Sequence, residues 1–315
     1  MTNTEKSILK TLAYYEVLGQ MPLTSIEIYR HLQKENDEHS LPSFLNLISL
    51  LNKSPALKEQ LDSKNGFFSL KGCNHYEQRI ARQKISIAKW KKVRRLAVYL
   101  VIAPFLRGLM VSGSLAFSNT KNESDLDLLV FTKKNRIWTS RTFLSFLLQL
   151  IGQRRHGQVI KNKICLNHYV SEAQLEIPLQ NLSNAHLYRH LIPLTNYNNF
   201  CCFQEQNSWI GRLIFFHPAI CENHLHRINE ESWFVKIGKR TGQTIEFLLS
   251  GRLGDWLEIS LGRWQIDRIR QKTSHRKLDQ GQLNLSDQAL LFHYPVSRNN
   301  EVMNDYRQKV GALNL

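Results

Sequence analysis

Apolar residues at the start of the chain recur at helical spacing, with Ile8, Leu12 and Tyr15 on one face. Thr24-Ser25-Ile26-Glu27 reads as a capping box and predicts a second helix through Leu32. Ser40-Leu41-Pro42 predicts the start of a third, whose stripe is Phe44, Leu47, Ile48 and Leu51. Leu57–Leu61 and Phe67–Leu70 then flank Lys64-Asn65-Gly66, and Asn-Gly between apolar runs predicts a hairpin. Residues 75–107 read as one long helix with its single proline, Pro104, near the end. Leu109, Met110 and Val111 form an apolar run stopped by Ser112-Gly113-Ser114, which is a strand feeding a turn. Asp125–Phe131 alternates and then becomes wholly apolar, as a central strand does. A helix over Ile137–Ile151 and a strand over Ile164–Val170 follow. Beyond residue 181 the pattern is mostly helical, with segments at Asn184–Leu191, Asn207–Phe216, Glu230–Leu249, Trp256–Lys272 and Met303–Leu313. This is an α+β chain in four parts: 1–72, a connector helix 73–108, a core 109–180 with a mixed sheet, and a helical domain 181–315.

Composition narrows the picture in a few places. With 42% hydrophobic and 22% charged residues the chain is ordinary for a globular protein, but its net charge of +16 is not, and it calls for an anionic partner. Five cysteines without a Cys-x-x-Cys pair argue against a disulfide framework or zinc finger. The longest apolar runs fall short of a membrane span, and the polar N-terminus gives no signal peptide, so the expected location is cytoplasmic. His217, Cys221, His224 and His226 carry soft-ligand chemistry without standard zinc spacing.

The candidate chemistry lies between Leu109 and Phe131. Strand alternation places Asp125 and Asp127 on one face, where two carboxylates repel unless a cation lies between them. Oxygen ligation of that kind suits Mg²⁺ (or Mn²⁺), completed by substrate phosphates. Gly113 permits close backbone approach to those phosphates, and Ser114 offers a hydroxyl and an N–H. Gly113-Ser114, ten residues, then Asp125-x-Asp127 in a strand resembles the signature of the DNA polymerase β-like nucleotidyltransferase superfamily. The resemblance covers about a fifth of the chain. It implies a Gly-Ser turn on the triphosphate, two acids on the metal ions, an NTP substrate, and transfer of NMP with release of pyrophosphate. Lys133, Lys134 and Arg141 are candidates to neutralise the triphosphate. Superfamily members usually carry a third acid on the next strand. This chain has Asn167 there, an uncharged ligand that cannot take a proton, with Glu172 or His168 as substitutes.

Two further features bear on partners. Helix, helix, helix, hairpin resembles a winged helix, but its third helix offers Asn46, Ser49, Asn52 and only Lys53, which favours a protein contact or a structural role over DNA reading. The connector helix carries eight Lys and Arg between Arg79 and Arg95 and no acid, with Lys84, Lys91 and Arg95 on one stripe that suits nucleic-acid phosphates. A second basic cluster, from Arg263 to Lys277, is interleaved with Trp256 and Trp264, as on a nucleic-acid or acidic-lipid surface. The leading expectation is an Mg²⁺-dependent nucleotidyltransferase whose acceptor is RNA, DNA, a protein side chain or a small molecule. The alternatives are a non-catalytic nucleotide- or nucleic-acid-binding regulator of the same fold, and a membrane-surface factor.

Overall fold

Two capping boxes start the chain's first helices. Thr2 and Thr24 accept from the backbone N–H three residues on, while Glu5 and Glu27 reach back, opening α1 (Asn3–Gly19) and, after β1 (Leu23–Thr24), α2 (Ser25–Arg30). The computed structural model describes residues 1–35, 41–155, 159–215, 226–274, 283–285, 289–292 and 296–315. Ser43 caps α3 (Phe44–Lys53). Ser54, with Pro55 at the first helical position, then starts a short α4 (Pro55–Gln60). That helix occupies residues 57–60, where the hairpin's first strand was expected, so β2 runs Leu61–Lys64 and pairs with β3 (Phe67–Leu70). Asn65 and Gly66 both take positive φ, 53° and 79°, which matches the twist of a two-residue hairpin. β1 adds to β3, giving a three-stranded sheet ordered β1-β3-β2.

The rest of the chain builds a larger sheet. After α5 (Tyr76–Leu100) come β4 (Leu106–Val111), α6 (Gly113–Ala116), β5 (Leu126–Thr132), α7 (Ile137–Leu150) and β6 (Ile164–Ser171). Next are α8 (Leu182–Arg189), β7 (Ile192–Pro193), α9 (Tyr197–Gln206), α10 (Trp233–Leu248) and α11 (Arg252–Ser274). β8 (Leu283–Leu285), β9 (Ala289–Phe292) and α12 (Val296–Ala312) close the chain. The sheet order is β7-β4-β5-β6-β9-β8, with β5 and β6 parallel and the other described pairs antiparallel. One face packs on α5 and α7 through Trp90, Leu100, Val111, Leu128, Val130 and Trp138. The other packs on α8 and α9 through Met110, Leu129, Phe131, Tyr188 and Phe203. β4 begins at Leu106, three residues earlier than its apolar run, because Arg107 is held there by Glu246 of α10.

The C-terminal stretch differs from an all-helical domain. β7, β8 and β9 join the central sheet, α9 fills a stretch with no predicted helix, and Asn207–Phe216 contains a 3₁₀ turn at Ser208–Arg212. α12 packs on α1, where the Tyr306 hydroxyl donates to Gln33 at 2.7 Å.

Three imidazoles, His186 buried and His31 and His190 half-buried, join the N-terminal unit to the core. Tyr15 Oη lies 3.1 Å from His186 Nδ1 and 2.5 Å from His190 Nε2, and the His190 ring lies 3.8 Å from His31 and 4.0 Å from Phe117. Burial pushes His186 down to about 3, and burial with neighbouring cations holds His31 and His190 well below the usual imidazole value. These rings stay neutral in the fold while the unfolded chain takes protons below about pH 6.5. Their contribution to stability is therefore present above that pH and lost as pH falls. Urea unfolding at stepped pH should show stability dropping between about pH 6.5 and 5 by about 1.4 kcal/mol per pH unit for each imidazole. His190→Gln should flatten that slope by one imidazole's share; an unchanged slope would contradict the assignment.

Candidate functional site

The site is built where β4 ends and β5 begins. Val111 pairs with Leu128, and the Ser112 N–H donates to the Asp127 carbonyl at 3.0 Å, so the turn closes directly on the acid. Gly113 has φ 63°, and a Cβ there would lie 2.7 Å from Asp127 Oδ2, so only glycine lets the turn lie against the carboxylate. The Ser114 hydroxyl sits 3.0 Å from Thr120 Oγ1. In the parallel ladder Asp127 pairs with Cys165, after which the register shifts and Leu129 pairs with His168. The side-chain ligand atoms of Asp125, Asp127 and Cys165 lie within 4.8 Å of one another.

A protein cation already faces this group. Arg155 donates to Asp125 Oδ2 at 2.5 Å and to Cys165 Sγ at 3.3 Å. Burial, together with the charges of Asp127 and Asp125, pushes the Cys165 thiol up to about 12, so it is neutral at ordinary pH. The cluster offers two carboxylates and a thiol, which suffices for a divalent cation with phosphate or water oxygens completing the shell.

The segment leading to Asp125 is fastened from α5. Arg79, 2% exposed, donates to the carbonyls of Phe117 and Ser118 at 3.2 and 2.8 Å and to Glu27 at 2.6 Å. Arg82 donates to the Gly19 carbonyl and Asn119 Oδ1, and Asn119 in turn donates to Gly19. Lys89 donates to the carbonyls of Lys121 and Ser124 at 2.7 and 2.6 Å, the second being the residue before Asp125.

The structure brings Gly113, Ser114, Asp125 and Asp127 to the same end of the β4–β5 pair and places the other expected members elsewhere. Asn167 falls at the step in the β5–β6 register, and the position beside Asp127 belongs to Cys165. Lys133 and Lys134 follow the far end of β5, six strand residues or about 20 Å from Asp127, where the Lys134 N–H donates to Glu172. Glu172 lies at that far end too, beside Arg107, and His168 pairs with Leu129 and is buried against Tyr188. Arg141 is engaged with Gln265 of α11. Lys84, Lys91 and Arg95 are exposed on the outer face of α5. His217, Cys221 and His224 lie outside the described residues, and His226 stacks on Trp90 at 3.8 Å.

Sequence reasoning missed Arg155, Cys165 and the inward cations of α5. The last were readable: Arg79, Arg82, Ser86, Lys89 and Val93 continue the helical stripe of Leu96 and Leu100, the buried face. Arg155 and Cys165 had no comparable signal, because they meet only through the strand pairing. No family model, curated protein or solved structure matches this chain. Among the described residues no helix is long and apolar enough to cross a membrane.

The thiol gives a direct check on the geometry. Alkylation of Cys165 by iodoacetamide, followed by mass spectrometry, should be slow at pH 8 and keep accelerating past pH 10. Asp127→Asn should shift the profile to lower pH by removing a charge that opposes the thiolate. A plateau at the pH of an ordinary exposed thiol would contradict the placement of Cys165 beside the acids.

Proposed function

We propose that the chain is a divalent-metal-dependent nucleotidyltransferase that moves an NMP unit from an NTP to an acceptor. The carrying observation is the convergence of Asp125 and Asp127 on the Gly113 turn, with ligand atoms clustered within 4.8 Å. The strand–turn–helix of β4 and α6, an antiparallel β5 bearing the acids and a parallel β6 beside it support a nucleotidyltransferase-type sheet. Helix, strand, two or more helices and a hairpin with β1 added to it likewise support a winged-helix reading of the N-terminal unit.

The residues fit Mg²⁺ or Mn²⁺ on two carboxylates better than a three-acid site. Asp125 and Asp127 would hold the ion, which when bound supplies charge stabilisation at the reacting phosphoryl group. The backbone of Gly113 and Ser114 admits phosphate oxygens closely, and Arg155 is the cation placed to pair with them once it leaves Asp125. Arg155 thus takes the role expected of Lys133, Lys134 and Arg141. Because this chemistry rests on positioning and electrostatics, the neutral Cys165 can complete the wall of the site without acting as a base. The exposed Lys84, Lys91 and Arg95 favour a nucleic-acid end as acceptor, and the exposed Asn46, Ser49 and Asn52 on α3 favour a protein contact.

A second reading, a nucleotide-binding regulator without activity, is favoured by one observation: Asp125 is already paired with Arg155 and the third position is a thiol. Incubation with each α-labelled NTP, Mg²⁺ or Mn²⁺, and cell RNA or lysate separates the two. The enzyme reading expects label on a macromolecule, with Asp127→Asn cutting the rate by about 10³, or roughly 4 kcal/mol of transition-state stabilisation, at unchanged circular dichroism. Nucleotide binding without transfer would support the regulator, and equal transfer by Asp127→Asn would remove the acids from the mechanism.

A further inference from the structure

α10 and α11 form an outer layer on the side of the sheet covered by α5 and α7. α10 turns Val235, Gly238 and Gly242 inward, and the two glycines press on Val101, Ile102 and Ala103 after the end of α5. α11 turns Gly262 onto the Trp138 ring, and its Glu258 accepts from the Trp138 and Thr139 N–H groups at 2.8 Å, closing the first turn of α7. At 100° per residue, the arcs opposite these contacts carry Trp233, Ile237, Phe247 and Leu248 on α10. On α11 they carry Leu253, Trp256 and Trp264, with Ile259 on the flank. All eight side chains are at least half exposed or nearly so, with Phe247 at 78% and Trp256 at 64%. The Gly251 turn, with φ 83°, joins the two helices, and Phe247, Leu248 and Leu253 lie beside it. Scattered exposed hydrophobes are normal on a surface, but a run of large ones on adjoining helices marks a docking face.

Charge identifies what docks. Between Glu230 and Glu258 every acid is engaged within the protein. Glu230 meets Lys239, Glu231 meets Lys236, Glu246 meets Arg107, Asp255 meets Arg136, and Glu258 holds the start of α7. Arg240 and Arg252 are exposed on the outward arcs, and no ion pair among the described residues uses them. The outward arc of α11 also carries the exposed Asp267, with Arg263 and Arg270 one turn to either side, so the face is apolar, aromatic and net cationic. A second copy laid on it would bring the same arginines together. Nucleic-acid phosphates would match the arginines and bases would find the tryptophans, but Ile237, Leu248 and Leu253 would be left in water. An anionic bilayer surface matches both parts, taking Trp, Phe and Leu into the acyl boundary and arginines against its headgroups.

We infer that the outward faces of α10 and α11 are a peripheral docking surface for an anionic lipid membrane. The inference is independent of the chemistry at Asp125 and Asp127. The test is co-sedimentation of the full chain with vesicles of phosphatidylcholine alone and of phosphatidylcholine mixed equally with phosphatidylglycerol, read together with tryptophan emission. Binding to the mixed vesicles only, with a blue shift, is expected. Phe247→Ser with Trp256→Ser should weaken it by about 100-fold, since two large side chains no longer leave water. Arg240→Glu with Arg252→Glu should weaken it too, and should abolish the preference for the anionic lipid. These positions are exposed, so unchanged thermal melting is expected, and each pair of substitutions tests the surface without the other. Absence of vesicle binding, or equal binding by both double variants, would overturn the inference. So would a dimer in sedimentation velocity that Phe247→Ser with Trp256→Ser dissociates, or RNA binding that the same variant abolishes.

Discussion

Three cations on the inner face of α5 fix the segment that carries the acids. A buried cation is costly to desolvate and is tolerated only when its donors are met by well-placed oxygens. Arg79, Arg82 and Lys89 meet backbone carbonyls at Phe117, Ser118, Gly19, Lys121 and Ser124, so the helix and the segment stabilise each other. Neither half is stable without the other, because removing a cation leaves buried carbonyls unmet and removing the segment leaves buried charge. The same contacts run outward to Glu27 and Gly19 of the N-terminal unit, while Phe117 packs into that unit's core. The position of Asp125 is thus coupled to the docking of the N-terminal unit through one helix.

A similar use of charge recurs on the other side of α7. Glu246 and Glu258 reach from the outer helices to the backbone at Phe105, Trp138 and Thr139, where each satisfies N–H groups that a turn or a helix start leaves unmet. Burial raises Glu258, while its bonds to Thr139 and Trp138 favour the charged form. With these acids turned inward, the outward arcs of α10 and α11 keep more exposed arginines than acids. That is the physical link between the outer hairpin's attachment and its cationic outward face.

Much of the fold was legible from local chemistry. The Thr24–Glu27 capping box, the Asn65-Gly66 turn and the run-and-stop at Leu109–Ser114 each act over a few residues, and the corresponding elements formed. The acid pair and Gly113 were legible for the same reason. What failed depended on pairing between distant segments. A one-step irregularity between β5 and β6 put Cys165 beside Asp127, and no local pattern records a register shift. Lys133 and Lys134 are near Asp127 in sequence, but an extended strand carries them to the other end of the sheet. Arg155 reaches Asp125 from a loop thirty residues away. The basic helix was read as one track, whereas its helical period divides it into a buried half that holds the core and an exposed half open to a partner.

In the proposed function Asp125 and Asp127 form a metal-nucleotide seat whose resident counter-charge is Arg155. A crystal structure of the chain with Mn²⁺ and a non-hydrolysable nucleoside triphosphate, read by anomalous scattering, tests it most directly. A manganese peak bridging the two carboxylates, phosphates against the Gly113 turn, and the Arg155 guanidinium turned from Asp125 onto a phosphate are expected. A nucleotide bound elsewhere, or an intact Arg155–Asp125 pair with no peak between the acids at saturating Mn²⁺, would contradict it.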